Sequence, residues 1–174
     1  MINEASREGK VQHWYAVNVR TGFAHFVAAE LRNQGVRVFL PENRAFQPSF
    51  AVSGQISTAS YVFARFSLED SETVTILPGV LSIAGAPKPV SIDDKDISDL
   101  RAAMSAGLSM TVQTGANELQ PGRVIGGPLS GRSGNFLELG GVWHFAIRVP
   151  ALERMFLFVV PTQFVNVAGF RQAF

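Results

Sequence analysis

Residues 61–66 read Tyr61-Val62-Phe63-Ala64-Arg65-Phe66. The stretch is dense in aromatics and bounded by polar residues on both sides, which predicts a β-strand. Side chains alternate between the two faces of a strand, so Val62, Ala64 and Phe66 point one way and Tyr61, Phe63 and Arg65 the other. Both faces are apolar, yet one carries a guanidinium, which a strand buried on both sides does not normally hold alone. The expectation is a sheet with one face under helices and the other presenting Tyr61, Phe63 and Arg65 to something outside. The competing reading is a central strand with Arg65 at its exposed end.

Upstream, Trp14 to Arg20 alternates as a first strand, with Tyr15, Val17 and Val19 opposite Trp14, Ala16, Asn18 and Arg20. Thr21-Gly22 then turns into a helix. Phe23, Phe26, Val27 and Leu31 recur at helical spacing, Ala24, Ala28 and Ala29 favour the helix, and Gly35 is placed as its C-cap. Val36 to Leu40 is a short apolar strand closed by Pro41. Residues 41–60 break the pattern with Pro41, Pro48 and Gly54 among polar residues, and a loop of that length is usually functional or mobile.

Downstream, Ser67 to Thr75 is acidic and polar, a short helix or loop. Pro78-Gly79 turns into a strand at Val80 to Ala84, and Gly85 to Pro89 turns again. A helix begins at Asp93, the expected N-cap, with Asp96 at N3 and Ile92 and Ile97 at the staple positions. Asp94, Asp96 and Asp99 favour the positive end of its dipole, Ile97, Leu100 and Met104 form the buried stripe, and Gly107 ends it. This order makes residues 11–107 an α/β sandwich on a mostly antiparallel four-stranded sheet. Residues 108–120 lose periodicity and read as a linker. Residues 121–170 turn all-β: short strands at Arg123 to Gly126, Gly134 to Leu139, Val142 to Val149, Met155 to Val160 and Gln163 to Val167, with Gly140-Gly141 as a hairpin turn. Five short strands predict a small SH3-like barrel, and the fold class of the whole is α+β.

Composition narrows the function. Of the 174 residues, 47% are hydrophobic and 17% charged, a globular balance. A net charge of +1 and a pI of 8.2 are too balanced for a chain held on nucleic acid by bulk charge. The absence of cysteine excludes a disulfide frame, a thiolate nucleophile and Cys-ligated zinc, and fits a reducing compartment. Met1 to Gln12 lacks the apolar core of a signal peptide, and no stretch approaches the ~18 apolar residues of a membrane span, so a soluble cytoplasmic monomer is expected. His13, His25 and His144 lie far apart without metal-ligand spacing. Glu69, Asp70 and Glu72 read as a solvated face. No serine sits in a nucleophile elbow, and the glycines of 126–134 lack the Gly-Lys-Ser/Thr of a phosphate loop. The chain reads as a non-enzyme that needs no metal or cofactor.

Several fragments together resemble a known family. They are Trp14-Tyr15, Val36 to Pro41 (VRVFLP), the Tyr61 strand, Pro78-Gly79-Val80, and Lys88-Pro89-Val90 before the capped helix. Gly122-Arg123-Val124, Gly127 to Gly131 and Gly134 then follow. In this order and spacing the chain resembles the bacterial NusG-type transcription elongation factors, an N-terminal NGN domain followed by a KOW barrel. It departs from the housekeeping pattern in three places. Ser57-Thr58-Ala59-Ser60 replaces the usual Leu-Phe-Pro-Gly, Arg44 is the only cation of the 41–60 loop, and residues 132 and 136 onward differ. The compact VRVFLP spacing is similar to the specialised RfaH/UpxY-like paralogues, which act on selected operons.

The resemblance implies a role. Such factors dock their N-terminal domain on the clamp of RNA polymerase, suppress pausing and termination, and so act in antitermination. It implies polymerase contact at Tyr61, Phe63 and Arg65, and at Thr73 within the hydroxyl-bearing Ser71 to Thr75. It implies a non-template DNA contact at Arg20. It also implies contact of Leu129 and Leu152 with a small-subunit ribosomal protein or with Rho, weakened by Arg132 at an otherwise apolar position. In autoinhibited paralogues the second domain seals the clamp-binding aromatics, and there it refolds as a helical hairpin. The β-branched and aromatic residues of 142–160, punctuated by Pro150 and Pro161, predict a stable barrel instead. The alternative is an RRM-like/KOW RNA-binding module that does not bind polymerase. The Tyr61 strand partly matches an aromatic RNP strand but lacks its leading basic-Gly pair.

Overall fold

β1 (His13–Arg20) is flanked on both sides: antiparallel β3 (Ala59–Phe66) pairs along its whole length and β4 (Val80–Ile83) along its second half, while β2 (Arg37–Phe39) adds to the far edge of β3. The result is a four-stranded antiparallel sheet in the order β2–β3–β1–β4. The computed structural model of the chain describes residues 9–41, 59–115 and 117–168, with Ala59 and Ser60 by their backbone alone. The expected 41–60 loop, with Arg44 and Ser57 to Thr58, therefore lies outside the described residues except at its two ends.

One face of this sheet is the core. Tyr15, Val17 and Val19 of β1 and Val62, Ala64 and Phe66 of β3 pack with Val27, Ala28 and Leu31 of α1 (Ala24–Asn33) and Val74 of α2 (Ser71–Thr75). Period-two apolar residues meet a helix stripe there, and each fully buried Val, Leu or Phe contributes about 1.5–3 kcal/mol. The helix stripe differs from the expected one by a rotation. Phe23 and Phe26 are exposed and lie edge to face at 6.3 Å, because the sheet takes the Val27–Ala28–Leu31 side and leaves no room for two more rings. Gly35 ends α1 as read from the sequence: its N–H donates to Arg32 O, and Val36 N–H donates to Leu31 O.

The chain divides into two compact units, Met1–Ile97 and Ser98–Phe174, and the division falls inside α3 (Asp94–Ser105). In α3, Ile97, Leu100 and Ala103 are buried, with Ala103 taking the place expected for Met104.

The second unit holds a six-stranded antiparallel sheet, β10–β6–β7–β8–β9–β5. Its members are β5 (Met110–Thr114), β6 (Gln120–Val124), β7 (Ser133–Leu139), β8 (Val142–Val149), β9 (Arg154–Val159) and β10 (Val165–Val167). Five strands were expected. The sixth is β5, which lies in the stretch read as a linker and pairs with β9 from Met110↔Phe158 to Thr114↔Arg154. Met110, Thr111, Val112 and Gln113 alternate apolar and polar, but the run is short and set among Ser, Thr, Gly and Asn, and the ladder to β9 is what shows it to be a strand. Both faces of the sheet are covered. Phe136 and Phe145 meet edge to face at 5.4 Å on one, and Leu137, Ala146, Met155 and Leu157 cluster with Leu119 on the other. Gly140 and Gly141 join β7 to β8 at φ 57° and 80°, the pair of positive values that a two-residue hairpin turn demands.

Candidate functional site

The face of the first sheet turned away from its core is built in rungs. Across the first lie Arg37 of β2, Arg65 of β3 and Trp14 of β1, with Ile92 bridged to Trp14. Across the second lie Phe39, Phe63 and Ala16, and across the third Tyr61, Asn18 and Ser82. The strand alternation read from the sequence puts Tyr61, Phe63 and Arg65 on this shared face, and β2 brings Arg37 and Phe39 to it.

Their exposures differ from the expectation. Tyr61 and Arg65 are half-buried, but Phe63 is fully buried at 0% exposure, its ring stacked on Phe39 at 5.8 Å with 16° between the planes. A pair of aromatics presented together to solvent is therefore not what the structure holds: Phe63 is a packed residue and Tyr61 the accessible one. The stack on Phe39 covers part of the ring, a cross-strand contact that the alternation of one strand does not reveal.

Arg65 is not a lone cation. Its Nη1 donates to Asp94 Oδ1 at 3.1 Å, and the Trp14 indole N–H donates to the same oxygen at 2.9 Å. Asp94 opens α3, where the sequence reading assigned it a dipole role; here it also fixes the indole and the guanidinium together. Asn18 donates through Nδ2 to Ser82 Oγ at 2.8 Å, while its Oδ1 is buried with no hydrogen-bond partner among the described residues. An orphaned acceptor of this kind marks a place where packing overrode polar satisfaction.

The remaining candidates lie apart from these rungs. Arg20 is exposed at the end of β1, and Thr73 is half-buried in α2. Glu69 and Asp70 are more than a solvated run: Lys10 Nζ sits 3.4 Å from Glu69 Oε2 and 2.9 Å from Asp70 Oδ1. The hydrogen bond to Asp70 holds the Lys10 ammonium above its ordinary pKa. Burial pushes the Tyr15 phenol above its ordinary value as well.

In the second unit Leu129 is 1% exposed and belongs to the core, so it does not offer the partner contact expected of it. Its loop folds under: Gly131 N–H donates to Val124 O and Arg132 N–H to Leu129 O, turning the leucine inward. Leu152 is also buried, but it lines an open pocket of about 530 Å³ with Arg148, Pro150, Arg154 and Met155. Arg132 pairs with Asp99, which is itself buried at 2% exposure, so this acid too does more than favour the helix dipole. His144 is buried, with Nδ1 donating to Val142 O at 3.0 Å. Among the described residues no three His, Asp or Glu side chains converge as a metal would require, and no helix there is long and apolar enough to cross a membrane.

Comparison with known proteins places this architecture. No curated protein is significantly similar in sequence. Thermotoga maritima NusG, from the structure "Domain interaction in Thermotoga maritima NusG", is similar over 91% of this chain and 98% of its own, at 17% identity and a TM-score of 0.50, a likeness of fold. A chain of the MjSpt4:Spt5 complex in conformation B overlays at a TM-score of 0.33 and 14% identity, over 92% of this chain and 99% of that one. Residues 12–101, more than half of the 174, match the family described as "Transcription termination factor nusG". That match runs through β1 to β4 and into α3, the elements that build the rungs, and the chain belongs to the NusG family of transcription factors.

Proposed function

We propose that this chain is a transcription elongation factor that binds the clamp of RNA polymerase through the outer face of its first sheet and suppresses pausing and termination, as an RfaH/UpxY-like paralogue. It works without catalysis, cofactor or metal. One observation carries the reading: within a NusG-family domain, Tyr61, Phe39 and Arg65 form a half-buried aromatic and cationic face around the buried Phe63. Tyr61 and Arg65 make the contact, Phe63 supports them from beneath, and Thr73 touches the polymerase across its DNA channel from the clamp. Arg20 meets the non-template DNA strand. The second, KOW-like unit meets a ribosomal protein or Rho at the Leu152 pocket.

An aromatic buried against a partner contributes roughly 2 kcal/mol or more at a hot spot. The test is binding of the full chain to core RNA polymerase beside a Tyr61→Ala variant shown to be folded by its thermal transition. Loss of ~30-fold or more in affinity is expected for the variant. Equal binding by both would move the site off this strand, and no binding by the parent would overturn the polymerase reading.

A further inference from the structure

Arg37 and Arg65 occupy directly opposite positions on β2 and β3. Opposite residues of an antiparallel pair have Cβ atoms about 4.5–5.5 Å apart, and like charges there are destabilising. The fold offsets this only in part. Asp94 Oδ1 engages Arg65 through Nη1, leaving Nε and Nη2 of Arg65 without an acceptor among the described residues. Arg37 is exposed, and its guanidinium has no ion-pair or hydrogen-bond partner among them. A charge on an edge strand guards against strand addition, which would account for Arg37 alone. It does not account for a second arginine opposite it on an inner strand.

We propose that the Arg37–Arg65 pair is a carboxylate-binding clip at the rim of the polymerase-docking face, taking an acidic side chain of the protein partner whose apolar ridge covers Phe39 and Tyr61. The inference rests on the docking role proposed above. Two planar forks side by side suit one carboxylate, which accepts from both. Asp94, already on Arg65, holds that fork in place while the incoming acid supplies the missing counter-charge to Arg37. A nucleic-acid backbone fits less well. It presents phosphates at regular intervals, and the next two rungs, Phe39–Phe63–Ala16 and Tyr61–Asn18–Ser82, carry no cation to meet them.

The experiment measures affinity of the full chain for core RNA polymerase between low and high salt, for the parent, Arg37→Gln and Arg37→Glu. Thermal transitions serve as the folding control. Arg37→Glu places an acid opposite Arg65, so its transition stays at or above that of the parent. Arg37→Gln weakens low-salt binding about fivefold, Arg37→Glu more, and both differences shrink as salt screens the contact. If the parent binds and both variants bind equally well with the same salt dependence, the clip is wrong and the docking role stands. If the parent does not bind at all, the docking role falls and takes the clip with it. A third measurement uses a single-stranded oligonucleotide as probe. Binding that is lost in Arg37→Glu, with polymerase affinity unchanged, would overturn the carboxylate in favour of phosphate.

Discussion

Phe39 and Phe63, on neighbouring strands, stack with ring centroids 5.8 Å apart, and Phe63 has no exposed surface while Phe39 is half-buried. The two rings therefore differ in what their removal does. Phe63→Ala empties a sealed site and is expected to destabilise by about 3–5 kcal/mol. Phe39→Ala, partly wetted already, loses less, and Phe63→Leu recovers most of the volume. Urea unfolding followed by fluorescence reads all three. A loss at Phe63 within ~0.5 kcal/mol of zero, the range of an ordinary surface change, would contradict its burial.

Asp94 serves two donors with one oxygen. Asp94→Ala leaves the Trp14 indole N–H and the Arg65 guanidinium unpaired, an expected loss of about 1–2 kcal/mol. Asp94→Asn keeps an acceptor for the indole and recovers part of it. The Arg65 share is between partly exposed groups and fades with salt, whereas the indole share does not. Denaturant midpoints at two salt concentrations separate them. Identical losses for both variants at both salts would refute the shared-acceptor geometry.

Tyr15 has its phenol pKa raised by burial, from an ordinary value of 10.0. The folded state thus binds this proton more tightly than the unfolded chain does. The contribution is fully present below the unfolded pKa and is lost as pH rises through the folded one. Stability should fall above about pH 10, and Tyr15→Phe should flatten that alkaline fall while leaving the neutral-pH slope unchanged. Thermal transitions from pH 7 to 11 test it. A parent and variant that fall in parallel would assign the alkaline loss to other groups.

Gly79 sits at φ +89°, and a Cβ built on it would come within 2.3 Å of the Phe23 ring. Gly79→Ala therefore meets both backbone strain and a clash, an expected loss of about 2 kcal/mol or more. Phe23→Ala should remove the ring contacts at 2.3 and 2.4 Å but leave its own Cβ at 2.6 Å and the backbone strain, so the double variant loses somewhat less than the sum of the singles. Strict additivity in the double-mutant cycle would show that the ring does not wedge against the turn.

Where local pattern and burial coincide, the elements were legible in the sequence. β1, β3 and β8 alternate, α1 and α3 carry their stripes, and glycines mark their ends. β5 was passed over because the alternation of Met110 to Gln113 spans only four residues in a polar stretch, and its partner β9 lies some forty residues downstream. Asp94 and Asp99 read as dipole-favouring acids because sequence separation hid Trp14, Arg65 and Arg132 from them. The burial of Phe63 and Leu129 was equally hidden, since alternation tells which face a residue takes and not what lies over it. Arg37 was passed over inside a short apolar run, although its two-residue spacing from Phe39 placed it on the same face.

The pairing of β5 also sets a length. With the ladder to β9 closed, residues 106–109 are the backbone between α3 and β5, a span of at most ~17 Å over five Cα steps. Were Met110–Thr114 of β5 peeled away, the backbone between α3 and β6 would be 106–119 and its reach ~50 Å. The β5–β9 ladder thus takes up about two-thirds of the backbone between α3 and β6, while the Asp99–Arg132 pair ties α3 to the same unit.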